Sequence, residues 1–148
     1  MITVERRVQT DSDLPAVFAY LSDFTHTEQW DPGTVRTTRT DDGPLRQGST
    51  FHNVSTYRGR QTELDYRVVR LDDDEHLTFT GVNKTVEATD DMSFAAEDGH
   101  TVVTYRAHFA FKGWARLAEP FLRHGFERIA DDTVIQLKRV LDALDTQS

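Results

Sequence analysis

Apolar and polar residues alternate through most of the middle of this chain, and a period of two predicts half-buried strands. Between Thr101 and Lys112, the residues Val103, Tyr105, Ala107, Phe109 and Phe111 share one face. Thr104, Arg106, His108 and Lys112 share the other. Leu77, Phe79 and Gly81 oppose His76, Thr78 and Thr80 in the same way, and Leu64, Tyr66 and Val68 oppose Glu63, Asp65 and Arg67. Met92 and Phe94 continue the apolar face. Six strands are expected: Gly33 to Thr40, Ser49 to Tyr57, Gln61 to Leu71, Glu75 to Val82, Thr85 to Ala95 and Thr101 to Lys112. Val69 and Leu71 change parity, which predicts a bulge. The connectors Asp41-Asp42-Gly43-Pro44, Arg58-Gly59, Asp72-Asp73-Asp74, Asn83-Lys84 and Glu97-Asp98-Gly99 are short turns. Short connectors demand antiparallel neighbours. The result is a six-stranded meander, and a first strand, Ile2 to Gln9, is free to join it.

Elsewhere the period changes to that of a helix. Val17, Tyr20, Leu21 and Phe24 follow one another at i, i+3, i+4, i+7, after a polar start at Asp11-Ser12-Asp13 and a Pro15 suited to a first turn. Thr25-His26-Thr27-Glu28 has the form of a capping box and predicts a second short helix. It should stop at Trp30-Asp31-Pro32-Gly33. From Trp114 onward, Leu117, Phe121, Leu122, Phe126, Ile129, Ala130, Leu137, Leu141 and Leu144 recur at helical spacing. A helix from Pro120 to Asp145 would be roughly 39 Å long. Pro120 predicts a kink, a break or a fresh start there. Thr146 to Ser148 read as a free tail. This long helix is the one element left to cover the apolar face of the sheet.

Composition narrows the picture. A chain of 148 residues fits a single domain, 1–148, able to bury about 70% of its unfolded surface. With no cysteine there is no disulfide, thiolate metal site or cysteine nucleophile. A net charge of −8 disfavours nucleic acid, which needs a positive face. No window approaches the roughly 18 apolar residues of a membrane span, and the start carries no apolar signal run. A cytoplasmic protein with no stable membrane insertion is the expectation, as a monomer or a homodimer.

The order strand, two short helices, meander, long helix carries a resemblance. Val17-Phe18-Ala19-Tyr20-Leu21-Ser22-Asp23-Phe24 is followed by Trp30-Asp31-Pro32-Gly33 and Gly48-Ser49-Thr50-Phe51. Phe111-Lys112-Gly113 then leads into Leu117-Ala118-Glu119-Pro120-Phe121-Leu122 and Leu137-Lys138-Arg139-Val140-Leu141. Across nearly its whole length the chain resembles the START-like superfamily with the helix-grip fold, in its bacterial polyketide cyclase/dehydrase branch. The resemblance implies an α+β domain: a curved seven-stranded antiparallel sheet wrapped around the C-terminal helix, with an apolar cavity between them. Members bind lipids, sterols, polyketides or other apolar molecules, and some catalyse cyclisation or aromatisation.

The lining expected for such a cavity is Trp30, Phe51, Tyr66, Phe79, Tyr105, Phe109, Leu117, Phe121 and Leu122, although the same side chains would also fill an ordinary core. Tyr66 and Tyr105 matter most, because a buried phenol needs a hydrogen-bond partner and orients a ligand. Asn53 shares a face with Phe51, Ser55 and Tyr57, and is either a polar anchor for a ligand or part of a solvated edge. Arg6 falls at the inward parity between Val4 and Val8; Asp90 is a conceivable partner, unless twist exposes both. The six histidines form no metal-ligand spacing, no G-x-S-x-G elbow is present, and no Gly-rich phosphate loop occurs. No catalytic residue, metal or cofactor is assigned.

Three functions compete. The first is non-catalytic binding of a lipid, polyketide-like or aromatic molecule. The second is an aromatase/cyclase-type enzyme using the same cavity, with Tyr66, Tyr105 and Asn53 as proton donors or acceptors. The third is a module presenting a partner or membrane surface, against which the acidic net charge argues.

Overall fold

The computed structural model describes residues 1–144. Seven strands form one antiparallel sheet: β1 (Ile2–Thr10), β2 (Thr34–Arg39), β3 (Thr50–Tyr57), β4 (Arg60–Asp72), β5 (His76–Val82), β6 (Val86–Glu97) and β7 (His100–Phe111). Their spatial order is β1-β7-β6-β5-β4-β3-β2. Hairpin connections make β2 to β7 a meander. β1 pairs with β7, with Val4 opposite Ala107 and Val8 opposite Val103. The register between β4 and β5 shifts between Val68 and Arg70, the site of the expected bulge.

Helix α1 (Leu14–Ser22) follows β1, with Pro15 in its first turn. The expected capping box does not form. A 3-10 turn, Phe24–His26, precedes the one-turn helix α2 (Thr27–Trp30). Asp23 is the cap, accepting bonds from Thr25 N at 3.0 Å and Thr25 Oγ1 at 2.7 Å. Glu28 turns away because a stronger demand is met elsewhere: its carboxylate accepts from Thr37 N at 2.9 Å and ties α2 to β2.

A 3-10 segment, Gly113–Ala118, leads from β7 into α3 (Glu119–Ala143). Pro120 lies in the first turn of α3, where no helical N–H bond is required of it, so it marks a fresh start rather than a kink. The expected helix end at Asp145 and the tail Thr146 to Ser148 lie outside the described residues. The long helix packs along β1 and is secured most firmly near its C-terminus. Ser12 Oγ donates to Leu141 O at 2.6 Å, Thr10 Oγ1 to Asp142 Oδ1 at 2.7 Å, and Lys138 Nζ to Gln9 O at 2.8 Å. Ala130, Thr133, Leu137 and Leu141 are buried there.

The core sits between the concave face of the sheet, α1 and the C-terminal half of α3. Phe24 is its hub, with ring centroids 4.3 Å from Phe79, 4.6 Å from Tyr66 and 5.8 Å from Phe51. Gly81 is required by this packing: a Cβ there would lie 2.7 Å from carbons of the Tyr66 ring.

A second close approach joins β3 to α3. The Tyr57 hydroxyl is buried without a hydrogen-bond partner and presses on Gly125, whose position has no room for a Cβ. Tyr57→Phe should leave stability unchanged or raise it by about 1 kcal/mol, because an unsatisfied buried hydroxyl is removed. Gly125→Ala alone should destabilise. In the Tyr57→Phe background it should instead add about 0.8–1 kcal/mol of helix propensity. Urea unfolding of the two single variants and the double variant measures this change of sign.

Candidate functional site

The two ends of the sheet differ in how well α3 covers them. Toward the turns that connect β4 to β5 and β6 to β7, the concave face is sealed: Leu77, Met92 and Val103 have no exposed surface. Toward the opposite end, Tyr57, Phe109 and Phe111 are half-buried, as are Leu122 and Phe126 on α3. Phe126 stacks on Phe109 at 4.6 Å and on Tyr57 at 5.5 Å. These rings pack between the sheet and the N-terminal half of α3 and stay half-buried. This less covered aromatic region is the candidate cleft.

Polar groups with unmet demands lie at its inner end. Asp90 stands on the concave face of β6 with Ala88 and Met92 as its inward neighbours. It is half-buried, and its Oδ1 accepts a 2.9 Å bond from the Tyr105 hydroxyl on β7. Trp30 packs edge-on against Tyr105 at 5.9 Å. Trp30 is 1% exposed, yet its Nε1 has no hydrogen-bond partner among the described residues. Asp31, the next residue, accepts bonds from Gly33 N at 3.1 Å and Thr34 Oγ1 at 2.9 Å. Tyr66 lies close enough to both carboxyls for their charges to act on its phenol.

Two carboxyls and two phenols in low dielectric disfavour every ionised form. Burial pushes the Asp90 carboxyl up to about 7, Asp31 adds to the rise, and the Tyr105 bond partly opposes it. Burial also raises Asp31, against the bonds from Thr34 and Gly33. Tyr66 and Tyr105 are held far above the ordinary phenol range by burial first and by the Asp90 charge second. Near neutral pH the cluster is therefore poised to hold a proton on Asp90. It offers a hydrogen-bond donor from Trp30 and has both an acid and a base form within reach.

The residues singled out in the sequence divide into groups. Trp30, Tyr66 and Tyr105 gather around the two carboxyls, and Phe109 and Leu122 are half-buried in the candidate cleft. Phe51 and Phe79 belong to the solid aromatic core around Phe24. Asn53 is buried and already satisfied: it donates to Thr37 Oγ1 at 2.8 Å and accepts from Ser55 at 2.6 Å, so it ties β2 to β3 and offers nothing to a ligand. Leu117 and Phe121 are 78% and 80% exposed and lie outside the interior, because the 3-10 segment and the first turns of α3 project beyond the sheet. Arg6 does not meet Asp90. Its guanidinium reaches outward to Glu127 at 2.8 Å and Asp131 at 2.9 Å, since α3 crosses β1 at that point. Asp31 was legible only as a turn residue; the sign in Asp90 was its apolar parity.

A groove of about 470 Å³ lies at the sealed end, lined by Ala19, Asp23, Thr25, Arg39, Leu45 and Phe51 among others. Its polar groups are already paired, Arg39 with Asp41 and Asp23 with Thr25. The buried polar atoms without a partner among the described residues, Trp30 Nε1 and Tyr57 Oη, belong instead to the aromatic region. Among the described residues no cluster of metal-ligating side chains occurs.

The seven-stranded sheet closed on a long C-terminal helix is the START-like helix-grip fold. Residues 1–142 match the family model described as polyketide cyclase / dehydrase and lipid transport, and the chain belongs to that family. Solved structures with this fold include the Zhui aromatase/cyclase from Streptomyces sp. R1128, with a TM-score of 0.80, 13% identity, and coverage of 95% of this chain and 93% of that one. TTHA0849 from Thermus thermophilus gives a TM-score of 0.79 at 11% identity over 99% of both chains. A START superfamily protein from Mycobacterium smegmatis gives 0.70 at 14% identity, covering 98% of this chain and 97% of that one. At such identities the likeness is one of fold. Among curated proteins none matches the chain significantly in sequence.

Proposed function

We propose that this protein binds an apolar, ring-containing small molecule in the aromatic cleft, with a hydroxyl or carbonyl of the ligand directed at the Asp90–Tyr105–Tyr66–Trp30 cluster. The observation that carries this reading is the unpartnered N–H of Trp30, whose ring packs on the same Tyr105 that donates to half-buried Asp90. Apolar walls supply affinity, and a few convergent polar groups set orientation. A lipid, a polyketide-like chain or an aromatic metabolite meets that description.

Binding of 2-naphthol and of naphthalene, followed by displacement of a fluorescent apolar probe, tests it. Tyr66→Phe should weaken 2-naphthol about tenfold, the worth of one buried hydrogen bond, and leave naphthalene unchanged. Absence of any probe uptake overturns the proposal.

A second reading, catalysis of the aromatase/cyclase type, is favoured by one feature: Asp90, raised to about 7 beside a phenol donor, suits proton transfer at neutral pH. Turnover of a poly-β-ketone would then show a pH dependence with an inflection near that value, lost in Asp90→Asn. A profile unchanged by the substitution removes Asp90 from such a role.

A further inference from the structure

The acidic net charge of −8 is unevenly placed, and the topology shows where. Hairpin turns alternate between the two ends of a meander. The turns after β1, β4 and β6 carry Asp11, Asp13, Asp72-Asp73-Asp74-Glu75 and Glu97-Asp98, and the C-terminal end of α3 lies beside them. The other end holds the turns after β3, β5 and β7. There the exposed charges are Arg58, Arg60, Lys84, Lys112, Arg116 and Arg123. The nearby acids are fewer. Glu119 is engaged by the Met1 amino group and by Arg123, and Glu87 and Glu63 lie on the outer strand surfaces. Lys112 Nζ donates to Asn83 O at 3.0 Å, so the β5–β6 turn and the 3-10 segment form one continuous surface.

The same cationic end carries exposed large apolar side chains. Trp114 is 80% exposed, Leu117 78% and Phe121 80%. Their spacing, i, i+3 and i+7, sets them in one stripe on the segment that runs from the 3-10 turn into α3. Gly113, at φ +56°, turns the chain at the start of the segment that carries this stripe. Among the described residues nothing covers it, and the sequence neighbours Phe111 and Leu122 are half-buried against the core.

A projecting ridge of Trp, Leu and Phe ringed by Lys and Arg has the composition of an interfacial membrane contact: rings enter the headgroup boundary while cations meet anionic lipid. A partner protein would more naturally be met by a groove or flat patch than by side chains standing clear of the surface. We propose that this end of the molecule docks reversibly on an anionic phospholipid bilayer through Trp114, Leu117 and Phe121, with Lys112, Arg116 and Arg123 supplying the electrostatic attraction. The acidic far end is repelled, so docking has one orientation, with the basic end toward the lipid. The acidic net charge, which by itself argues against such a surface, is concentrated at the end turned away.

Co-sedimentation with vesicles of phosphatidylcholine, and of phosphatidylcholine containing about one-third phosphatidylglycerol, tests the proposal without any cleft ligand, so it fails or stands apart from the function proposed above. The expected result is binding to the anionic vesicles, lost at high salt, with a blue shift of tryptophan emission as Trp114 enters the interface while buried Trp30 stays constant. Each cation removed from the ridge should weaken binding about fivefold. Leu117→Asp with Phe121→Asp should abolish it, with an unchanged melting profile because both residues are exposed. The proposal is overturned by a lack of vesicle binding, or by binding that these substitutions leave intact. It is equally overturned if the ridge instead mediates self-association or captures an acidic protein while vesicles stay unbound.

Discussion

Asp90→Asn is expected to stabilise the folded protein above neutral pH and to flatten its pH dependence between about 4 and 7. The ordinary aspartate value is 3.8, and in the fold Asp90 is raised to about 7. The native state therefore holds a proton that the unfolded chain releases. In this window stability is greatest at low pH and falls as pH rises, and the full penalty of an ionised Asp90 is present above about 7. That penalty is at most about 4 kcal/mol. Asparagine keeps the shape and the acceptor for Tyr105, and it cannot ionise.

The groups facing Asp90 are Asp31 from the end of α2, Tyr66 from β4 and Tyr105 from β7; none is cationic. His52 is raised above its ordinary value by its hydrogen bonds to Asp65 and Glu63, and likewise loses its stabilising charge as pH rises. It is unaffected by the substitution, so the difference between wild type and variant isolates Asp90. Asp41, lowered to about 2 by Arg39, acts in the opposite sense and only in acid. Its contribution is lost as pH falls through that value. Urea unfolding of both proteins at pH 5 and pH 8 measures the effect. Equal pH sensitivity in the two would refute a raised Asp90.

Phe24→Ala should cause the largest loss of stability, about 3–5 kcal/mol. Phe24 is 2% exposed and touches Phe79, Tyr66 and Phe51 at once. It also fixes the 3-10 turn that delivers Trp30 and Asp31 to the cleft. Strands on one side and α1 on the other leave these rings little freedom to collapse into the gap. The cavity should stay dry and accept benzene, which would restore part of the lost stability. Phe121→Ala provides the contrast: it deletes the same side chain at an exposed position and should change stability by no more than about 0.5 kcal/mol. Chemical denaturation with and without benzene measures both. A loss below about 1 kcal/mol in Phe24→Ala would mean that the aromatic cluster is not the centre of the core.

Strand parity accounts for much of this architecture. An alternating strand has one face that must leave water, so Leu77, Phe79, Met92, Val103 and Tyr105 had to point the same way. The Val69 bulge and the helix start at Pro120 follow from local backbone chemistry and are legible for the same reason. Helical spacing in Leu117 and Phe121 was equally legible, but burial was not. A stripe is buried only where another element lies opposite it, and the sheet ends before the first turn of α3. Capping at Thr25 and Glu28 fits the local pattern too, yet Glu28 found a backbone N–H in β2.

The candidate site depended even more on tertiary contacts. Asp31 lies in a turn and Asp90 in a strand, with nothing in their local sequence to pair them. Their shared environment, and the proton it holds, arises because Trp30, at the end of α2, packs on Tyr105 of β7, which in turn bonds Asp90 of β6. Charge behaves likewise: composition sets the total at −8, and the alternation of hairpin ends decides that one end is basic. The sheet, its buried face and the long helix were thus readable from the chain, because periodicity and turn chemistry are local. Where the helix leaves a cleft, which carboxyls meet in it and which apolar residues remain in water were settled only by folding, because each depends on what lies across space.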